Sequence, residues 1–340
     1  MKKCFLVGVV FVTTVMLLMG NCVFSQQKPL EKVTFRLNWI PEGEGDHAIY
    51  YAAKHFGYYE DNGLDVTIEK GSGSGDTAKR VSVGAADIGI ADTPSIAAVR
   101  AGGARVKVIA ILQSTTLNCV WTRADTGIKT LKDLEGHTIG APPLDSQRVL
   151  FPALAKINNI DMSKIQWVNI APPAKIPSLA AGKVDATVHF FDQKALYFEI
   201  LGPENTVYFR FQDYGVNPYG LAVFAHEDTI ATRGDMLKRF LEASIKAQRW
   251  VIQHPEEAID IMQQLIPAVD KEKVLSMLIE DIEVEKSPDV LVHGLGWISL
   301  ERMRETVDLI NKYFDIARPL TAEEMFTTEF LPHYSWPYGF

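Results

Sequence analysis

The chain has 340 residues, of which 47% are hydrophobic and 22% are charged. This is enough apolar sequence for one large or two medium α/β domains. The formal net charge of −8 argues against nucleic acid as a partner, because nucleic-acid binding needs a basic surface.

The first 25 residues have the pattern of an export signal. Two lysines precede a nearly unbroken apolar run from Phe5 to Met19, which has the length of a signal-peptide core and is short for a membrane-spanning helix. The residues before Gln26 fit cleavage after Ser25. We therefore predict an exported, periplasmic protein that begins near Gln26. A retained signal anchor is the alternative.

Three cysteines are present, at positions 4, 22 and 119. Cys22 would be the attachment point of a lipoprotein, but Asn21 before it fits the lipidation pattern poorly. Cleavage of the signal leaves Cys119 alone, and its apolar neighbours predict a buried, inert thiol. No disulfide can then form within the mature chain.

After the signal, strands and helices alternate. Alternating apolar and β-branched residues predict strands at 33–39, 64–69, 87–91 and 106–112. Helices are expected between them, at 47–55, after residue 74 and at 94–101. Such alternation is typical of a parallel sheet with helices on its faces.

The Gly/Ser-rich loop 71–77 joins the second strand to a helix. Glycine allows close backbone approach, and the N–H groups at the helix start attract an acidic or hydrogen-bonding ligand group. Ser74 or Asp76 would cap this helix. Asp92 and Thr93 end the next strand, at the edge where α/β sheets bind ligands. The alternative is that both loops are only turns.

Two residues with ligand-binding chemistry follow the first strand. Trp39 either packs in the core or presents a flat face to a ligand. His47 opens the next helix at the same sheet edge, with Asp46 as its expected N-cap. For His47, a structural role and a ligand role both stay open.

A second β-α alternation follows. It comprises expected strands at 117–123, 138–141, 165–170, 184–190 and 207–211 and helices at 146–158, 173–181 and 191–201. Residues 221–225 then lead the chain back to the first group of strands and helices. Expected helices at 228–253, 256–266, 270–282 and 300–314 complete the chain.

We therefore predict two lobes, the second inserted into the first. Lobe 1 comprises residues 26–118 and 224–340, and lobe 2 comprises 119–223. The two crossings, near 118–124 and 218–225, would form a hinge, and the cleft between such lobes is where ligand sites concentrate.

The motifs of several enzyme and metalloprotein classes are absent from the sequence. It contains no HExxH, CxxC or EF-hand pattern and no GxSxG elbow. This favours a binding protein without metal or cofactor over an enzyme. The alternative of another class is an exported enzyme that uses His47 or His189 as a base.

Several segments together resemble a known family. Residues 47–66 resemble the HA–YxA–xGYYxxxGLDV block of periplasmic solute-binding proteins for nitrate, sulfonates and thiamine pyrimidine precursors. Residues 83–91, 179–186 and 326–331 resemble its other blocks. The resemblance implies an α/β, two-lobed type II periplasmic-binding-protein (Venus-flytrap) fold with a helical C-terminal part. It also implies delivery of a small-molecule ligand to the permease and ATPase subunits of an ABC importer, and we expect a monomer.

Within the family, Asn38-Trp39, His47 and 214–216 most resemble the branch for pyrimidine precursors, which sandwiches a heteroaromatic ring between aromatic side chains. The resemblance implies ligand-binding residues on both sides of the cleft. In lobe 1 these are Asn38, Trp39, His47, Ser72, Gly73, Ser74, Asp92 and Thr93. The remainder of the chain contributes Pro143, Asp145, Phe191, Asp192, Tyr214 and Tyr219. Asp192 stands where that branch often carries Glu.

The sequence thus predicts a non-enzymatic receptor for a small planar heteroaromatic ligand. The alternative within the same fold is a binding protein for a sulfonate- or nitrate-type anion, held by residues 72–75 and Arg148. A receptor that feeds a signalling protein instead of a transporter is a further alternative.

Overall fold

The computed structural model describes residues 29–338, and its main compact unit begins at Glu31. The predicted export signal, with Cys4 and Cys22, lies outside the described residues. Within residues 29–338, no helix is both long enough and apolar enough to span a lipid bilayer.

The chain begins in the first lobe, where strands and helices alternate as expected. The elements are β1 (Glu31–Arg36), α1 (Ala48–His55), α2 (Tyr58–Asp61), β2 (Leu64–Glu69), α3 (Ser74–Ser82), β3 (Ile88–Asp92), α4 (Thr93–Ala101) and β4 (Val106–Ile111). The second lobe has β5 (Asn118–Arg123), β6 (Thr138–Ala141), α5 (Ser146–Ile157), β7 (Gln166–Asn169), α6 (Lys175–Ala180), β8 (Ala186–Phe190), α7 (Lys194–Leu201) and β9 (Thr206–Arg210).

The chain then returns to the first lobe and becomes helical. Its remaining elements are β10 (Leu221–His226), α8 (Glu227–Thr232), α9 (Gly234–Gln253), α10 (Pro255–Leu265), α11 (Lys271–Glu285), α12 (Pro288–His293), α13 (Leu300–Tyr313) and α14 (Ala322–Met325).

Each lobe is built around a five-stranded sheet, and the two sheets have the same topology. Their strand orders are β2-β1-β3-β10-β4 and β7-β6-β8-β5-β9. The first three strands of each order are parallel, and the fourth is antiparallel to both of its neighbours. The parallel sheet predicted for the first lobe is therefore mixed, because the distant strand β10 lies between β3 and β4.

Two connections join the sheets, at residues 112–117 and 211–220, just before the predicted crossings. They are tied together by a hydrogen bond of 3.0 Å from the Gly220 N–H to the Gln113 carbonyl. The Thr93 hydroxyl also donates to the Gly220 carbonyl, at 2.8 Å. A Cβ at Gly220 would lie 2.7 Å from the Thr115 carbonyl oxygen, so only glycine fits between the connections.

The long helix predicted over 228–253 is interrupted at Arg233, which separates α8 from α9. Arg233 has left the helical conformation, with φ −130°. Its guanidinium binds Asp87 at 2.5 Å and Glu31 at 2.9 Å, so ion pairs with the first lobe's sheet accompany the break.

The first lobe's core contains a cluster of aromatic rings between the sheet, α1 and α9. The Phe35 ring centroid lies 4.3 Å from that of Tyr50 and 5.1 Å from that of Phe240. Tyr59 also packs on Phe240, and its hydroxyl is paired with Ser244 at 3.0 Å. These contacts anchor α1 and α9 to the sheet edge that carries Trp39.

We expect Leu241→Ala in α9 to lower the free energy of unfolding by about 2–5 kcal/mol, because Leu241 is fully buried and truncation leaves a cavity. Leu265→Ala in α10 is the matched control: this leucine is 47% exposed, and the change should cost well under about 1 kcal/mol. Urea denaturation measures both. Equal losses would contradict this placement of the core.

Candidate ligand-binding site

The site is built on the loop that follows β1. The Gly71 N–H donates to the Trp39 carbonyl at 2.8 Å, and the Gly73 N–H donates to the Asn38 carbonyl at 2.7 Å. A Cβ at Gly71 would lie 2.1 Å from the Leu37 carbonyl oxygen, so the two backbones approach this closely only with glycine. This pairing fixes Asn38 and Trp39 at the edge of the cleft.

A small cavity between the lobes, called here the polar cavity, lies against these residues. Its lining comprises Asn38, Trp39, Glu44, Gly73, Ser74, Asp145, Ser146, Gln147, Lys175, His189 and Phe190. Its volume is about 10 Å³, which is close to the space for one water molecule. The cleft is therefore closed in this conformation, and a ring-sized ligand needs the lobes to part.

Contacts between the lobes hold the cleft shut. The Gly75 N–H, at the start of α3, donates to the Leu144 carbonyl at 3.3 Å. A second contact is the ion pair of Lys194 with Glu280, at 2.6 Å. One of the N–H groups proposed to attract an anion is therefore bound to a carbonyl of the opposite lobe.

Lys175 links the two sides of the polar cavity. It is only 1% exposed and forms an ion pair with Asp145, which caps α5 by accepting from the Gln147 N–H at 3.2 Å. The Lys175 ammonium also lies 4.9 Å from the Trp39 ring centroid, within cation–π range. The buried cation is thus balanced by a carboxylate in its own lobe and by an aromatic face from the other.

His47 lies behind Asn38 and contacts its side-chain amide. Burial lowers the pKa of His47 to about 4, so its ring is neutral at physiological pH and carries one proton. Both ring nitrogens face oxygen acceptors: Nδ1 lies 3.2 Å from the Pro41 carbonyl oxygen, and Nε2 lies 3.0 Å from Oδ1 of Asn38. The nitrogen that carries the proton donates to its oxygen. His47 thus supports Asn38, which itself lines the polar cavity.

Four carboxyl groups are buried together beside the polar cavity, and we call them the acidic cluster. Glu44 and Asp46 precede α1, Asp281 lies on α11, and Asp192 follows β8 in the other lobe. The Asp46 N–H donates to Asp281 at 3.1 Å. The carboxylate oxygens of Asp46 and Asp192 have no hydrogen-bond partner among the described residues. The cluster therefore offers acceptors to a ligand that donates hydrogen bonds or carries positive charge.

Burial raises the pKa values of the whole cluster. It raises the pKa of Asp46 to about 7, and burial together with the Asp46 charge raises that of Asp192 to about 7. Burial and the neighbouring carboxylates hold the pKa values of Glu44 and Asp281 well above their usual range. Among residues 29–338, no group of three or more His, Cys, Asp or Glu side chains is placed to hold a metal ion.

The predicted helix caps are wrong. Gly73 occupies the N-cap of α3 without a side-chain bond, while Ser74 accepts from the Asp92 N–H at 3.0 Å and Asp76 binds Arg36 at 2.9 Å. His47, not Asp46, occupies the N-cap of α1. Asp46 instead joins the acidic cluster, where long-range contacts outweigh the local preference for capping.

The structure brings some of the predicted site residues together and leaves others apart. Those that line the polar cavity are Asn38, Trp39, Gly73, Ser74 and Asp145. Those buried behind it or at the hinge are His47, Asp92, Thr93 and Asp192. Those that lie outside its lining are Ser72, Pro143, Phe191, Tyr214 and Tyr219.

The five predicted residues outside the lining of the polar cavity are exposed or make other contacts. The side chains of Ser72 and Pro143 are exposed. Phe191 stacks on Trp121 at 6.0 Å, and Tyr214 packs on Phe209. The Tyr219 hydroxyl accepts from the Ser299 N–H at 3.0 Å. Their direct contact with a ligand stays a prediction for a more open cleft.

Sequence reasoning missed Glu44, Lys175 and Asp281 as site residues. Glu44 stands in a glycine-rich loop beside Trp39, and this position was the one available signal. Lys175 and Asp281 stand in ordinary helical segments, and only the closed packing of the lobes brings them to the cleft. For His189 the sequence suggests only the role of a base in an enzyme.

Closure of the cleft should depend on pH, because parting the lobes separates Asp192 from the other three carboxyls. A carboxyl with a pKa of about 7 when closed and about 4 when exposed takes up a proton on closing. Protonation of Asp192 therefore stabilises the closed state relative to the open one. The stabilisation is complete below about pH 4 and is lost as the pH rises through about 7. Burial lowers the pKa of His189, which opposes closure only below about pH 6.5.

We therefore expect the radius of gyration of the ligand-free protein, measured by small-angle scattering, to increase from pH 6.5 to pH 8.5. Asp192→Asn should flatten this dependence. Asp125→Asn, at a position 74% exposed in the same lobe, should leave it intact. A wild-type radius that does not change with pH, or an unaltered dependence in D192N, would contradict the role of Asp192 in pH-dependent closure.

Comparisons with known proteins agree with this architecture. Residues 44–258 match the family described as NMT1/THI5 like. A formylaminopyrimidine-binding protein of Halalkalibacterium halodurans is 24% identical over 315 residues, covering 89% of this chain and 92% of the relative. The riboflavin-binding protein RibY of Chloroflexus aurantiacus is 22% identical over 317 residues, covering 91% and 88%.

Other relatives carry an enzyme's name. One is the 4-amino-5-hydroxymethyl-2-methylpyrimidine phosphate synthase of Legionella pneumophila, which is 21% identical and covers 88% of this chain and 92% of the relative. Among solved structures, the alkanesulfonate-binding protein SsuA of Xanthomonas axonopodis pv. citri superposes with a TM-score of 0.67 at 15% identity, covering 87% of this chain and 99% of that one. The expected two-lobed α/β architecture is confirmed. The chain belongs to the NMT1/THI5-like family and has the periplasmic-binding-protein fold.

Proposed function

We propose that the protein is an extracytoplasmic receptor that captures a small planar heteroaromatic molecule, of the aminopyrimidine kind, and delivers it to an ABC importer. One observation carries the proposal: the Trp39 ring, the Asn38 amide and the buried carboxyls of the acidic cluster meet at one cleft between two lobes. The similarity to a formylaminopyrimidine-binding protein supports it.

The chemistry of the cleft suits such a ring. Stacking one aromatic face on Trp39 contributes roughly 1–3 kcal/mol. An aminopyrimidine also carries N–H donors and a ring nitrogen that can take a proton. These groups match the carboxylate oxygens of Asp192, which lack hydrogen-bond partners among the described residues. A bound donor would relieve the cost of burying them.

Capture would proceed by closure of the cleft. Trp39 and Asn38 belong to the first lobe, whereas Lys175, His189 and Asp192 belong to the second. A ligand that touches both sets favours a cleft closed around it, with the lobes slightly further apart than in this structure, over the open cleft, and it shifts the population by that difference in affinity. The closed form would then be the one that the importer subunits recognise.

The charges in the cleft favour this ligand class over an anion. Lys175 is the buried cation of the polar cavity, and Asp145 neutralises it. Arg148, proposed as an anion ligand, instead binds Asn169 at 2.7 Å and lies over the Trp167 ring at 4.8 Å. A sulfonate or nitrate would meet the acidic cluster with little positive charge to offset it.

The histidines support a binding role over catalysis. A general base works best when its pKa lies near the operating pH. Burial lowers the pKa of His47 to about 4, and burial with the Lys175 charge lowers that of His189 well below its usual value. Both rings are therefore weak bases at physiological pH.

Trp39→Ala should weaken binding of 4-amino-5-hydroxymethyl-2-methylpyrimidine by about 5–150-fold, the factor that corresponds to losing roughly 1–3 kcal/mol of stacking. The control is Trp250→Ala, since Trp250 packs on Phe56 and His254 and does not line either cavity of the cleft. Isothermal titration calorimetry measures both affinities, and circular dichroism checks the fold. Wild-type affinity in W39A would remove Trp39 from the site.

A further inference from the structure

A second, larger cavity also borders Trp39, and we call it the apolar cavity. Its volume is about 290 Å³. Its inner wall is formed mainly by apolar side chains, among them Pro172, Pro173, Ile176, Leu196, Val274 and Met277. The prolines lie just before α6, Ile176 belongs to α6, Leu196 to α7, and the last two to α11. Both lobes therefore build the wall.

The two cavities share two residues. Trp39 and His189 line both, and their ring centroids are 6.0 Å apart. The Nε2 atom of His189 is buried and has no hydrogen-bond partner among the described residues. A polar group held at this junction is thus available to a molecule that extends from one cavity into the other.

The apolar cavity is large enough to hold a ring-sized substituent of a ligand. A dry apolar cavity of about 150 Å³ is enough for benzene, and small-molecule sites begin at about 300 Å³. The polar cavity, at about 10 Å³, cannot supply this room in the closed state. A solute that lies across Trp39 would use both.

The mouth of the apolar cavity is polar and weakly held. Lys273 binds Asp270 and Glu199, each at 3.1 Å, and the Glu199 contact joins α11 to α7 across the lobes. These side chains are partly exposed, so pairs of this kind resist opening only weakly. The charges stay at the rim, and the interior suits an uncharged arm.

We propose that the apolar cavity is a second compartment of the ligand site, and that it receives an uncharged, apolar arm of the same solute whose ring lies against Trp39. The solute is then a heteroaromatic ring with a substituent of up to about the size of two benzene rings. This rests on the proposed function and narrows its ligand class. Because both lobes line the compartment, the arm adds to the drive for closure.

The test compares two probes by isothermal titration calorimetry: 4-amino-2-methylpyrimidine, and the same ring with a phenylethyl group at position 5. The wild-type protein should bind the substituted probe at least about tenfold more tightly. Leu196→Trp fills the compartment and should bring the ratio of the two affinities close to one. Val83→Trp, at a position 72% exposed, is the control and should keep the wild-type ratio.

The outcomes separate this inference from the function on which it rests. Equal affinities of the two probes for the wild-type protein, or a wild-type ratio in L196W, would overturn the second compartment and leave the receptor function standing. If neither probe binds, the proposed function fails and the compartment with it. Where L196W does not fold, Ile200→Trp at the exposed mouth makes the same comparison.

Discussion

The cleft can close only if the free-energy cost of burying charged side chains between the two lobes is offset. An ion removed from water costs several kcal/mol unless it is paired or neutralised. The protein uses both solutions. Lys175 is paired with Asp145 and covered by the Trp39 ring, whereas the carboxyls of the acidic cluster stay protonated to a higher pH than usual. A bound ligand with N–H donors or positive charge would also offset the cost of burying these carboxyls, and ligand recognition would then favour closure of the cleft.

The topology places these groups. In each sheet the fourth strand is antiparallel and adjoins a connection between the lobes, so both connections run side by side and Gly220 fits between them. The loop after β1 is held by Gly71 and carries Trp39 to the edge that faces lobe 2. α11 then brings Asp281 against Asp46, although 235 residues separate them along the chain. The site is thus assembled from segments that are distant along the chain and belong to both lobes.

Local patterns in the sequence predicted the elements closely, and contacts distant along the chain account for the differences. The bounds of β2 and β6 agree with prediction, because β2 alternates apolar and polar residues and because Gly136 and Pro142 flank β6 closely. The mixed sheet, the break at Arg233 and the burial of Asp46 could not be predicted, since each depends on a partner far along the chain. The same holds for the site: Trp39 was identified from its place at a strand end, whereas Lys175 reaches the cleft only through the packing of the second lobe.

Native mass spectrometry of the purified mature protein tests the central claim most directly, followed by denaturation to release and weigh any small molecule. We expect denaturation to release a heteroaromatic compound, and we expect the protein to regain that mass when the compound is added back. A protein that is empty as purified, and that gains thermal stability only with sulfonates or nitrate, would contradict it.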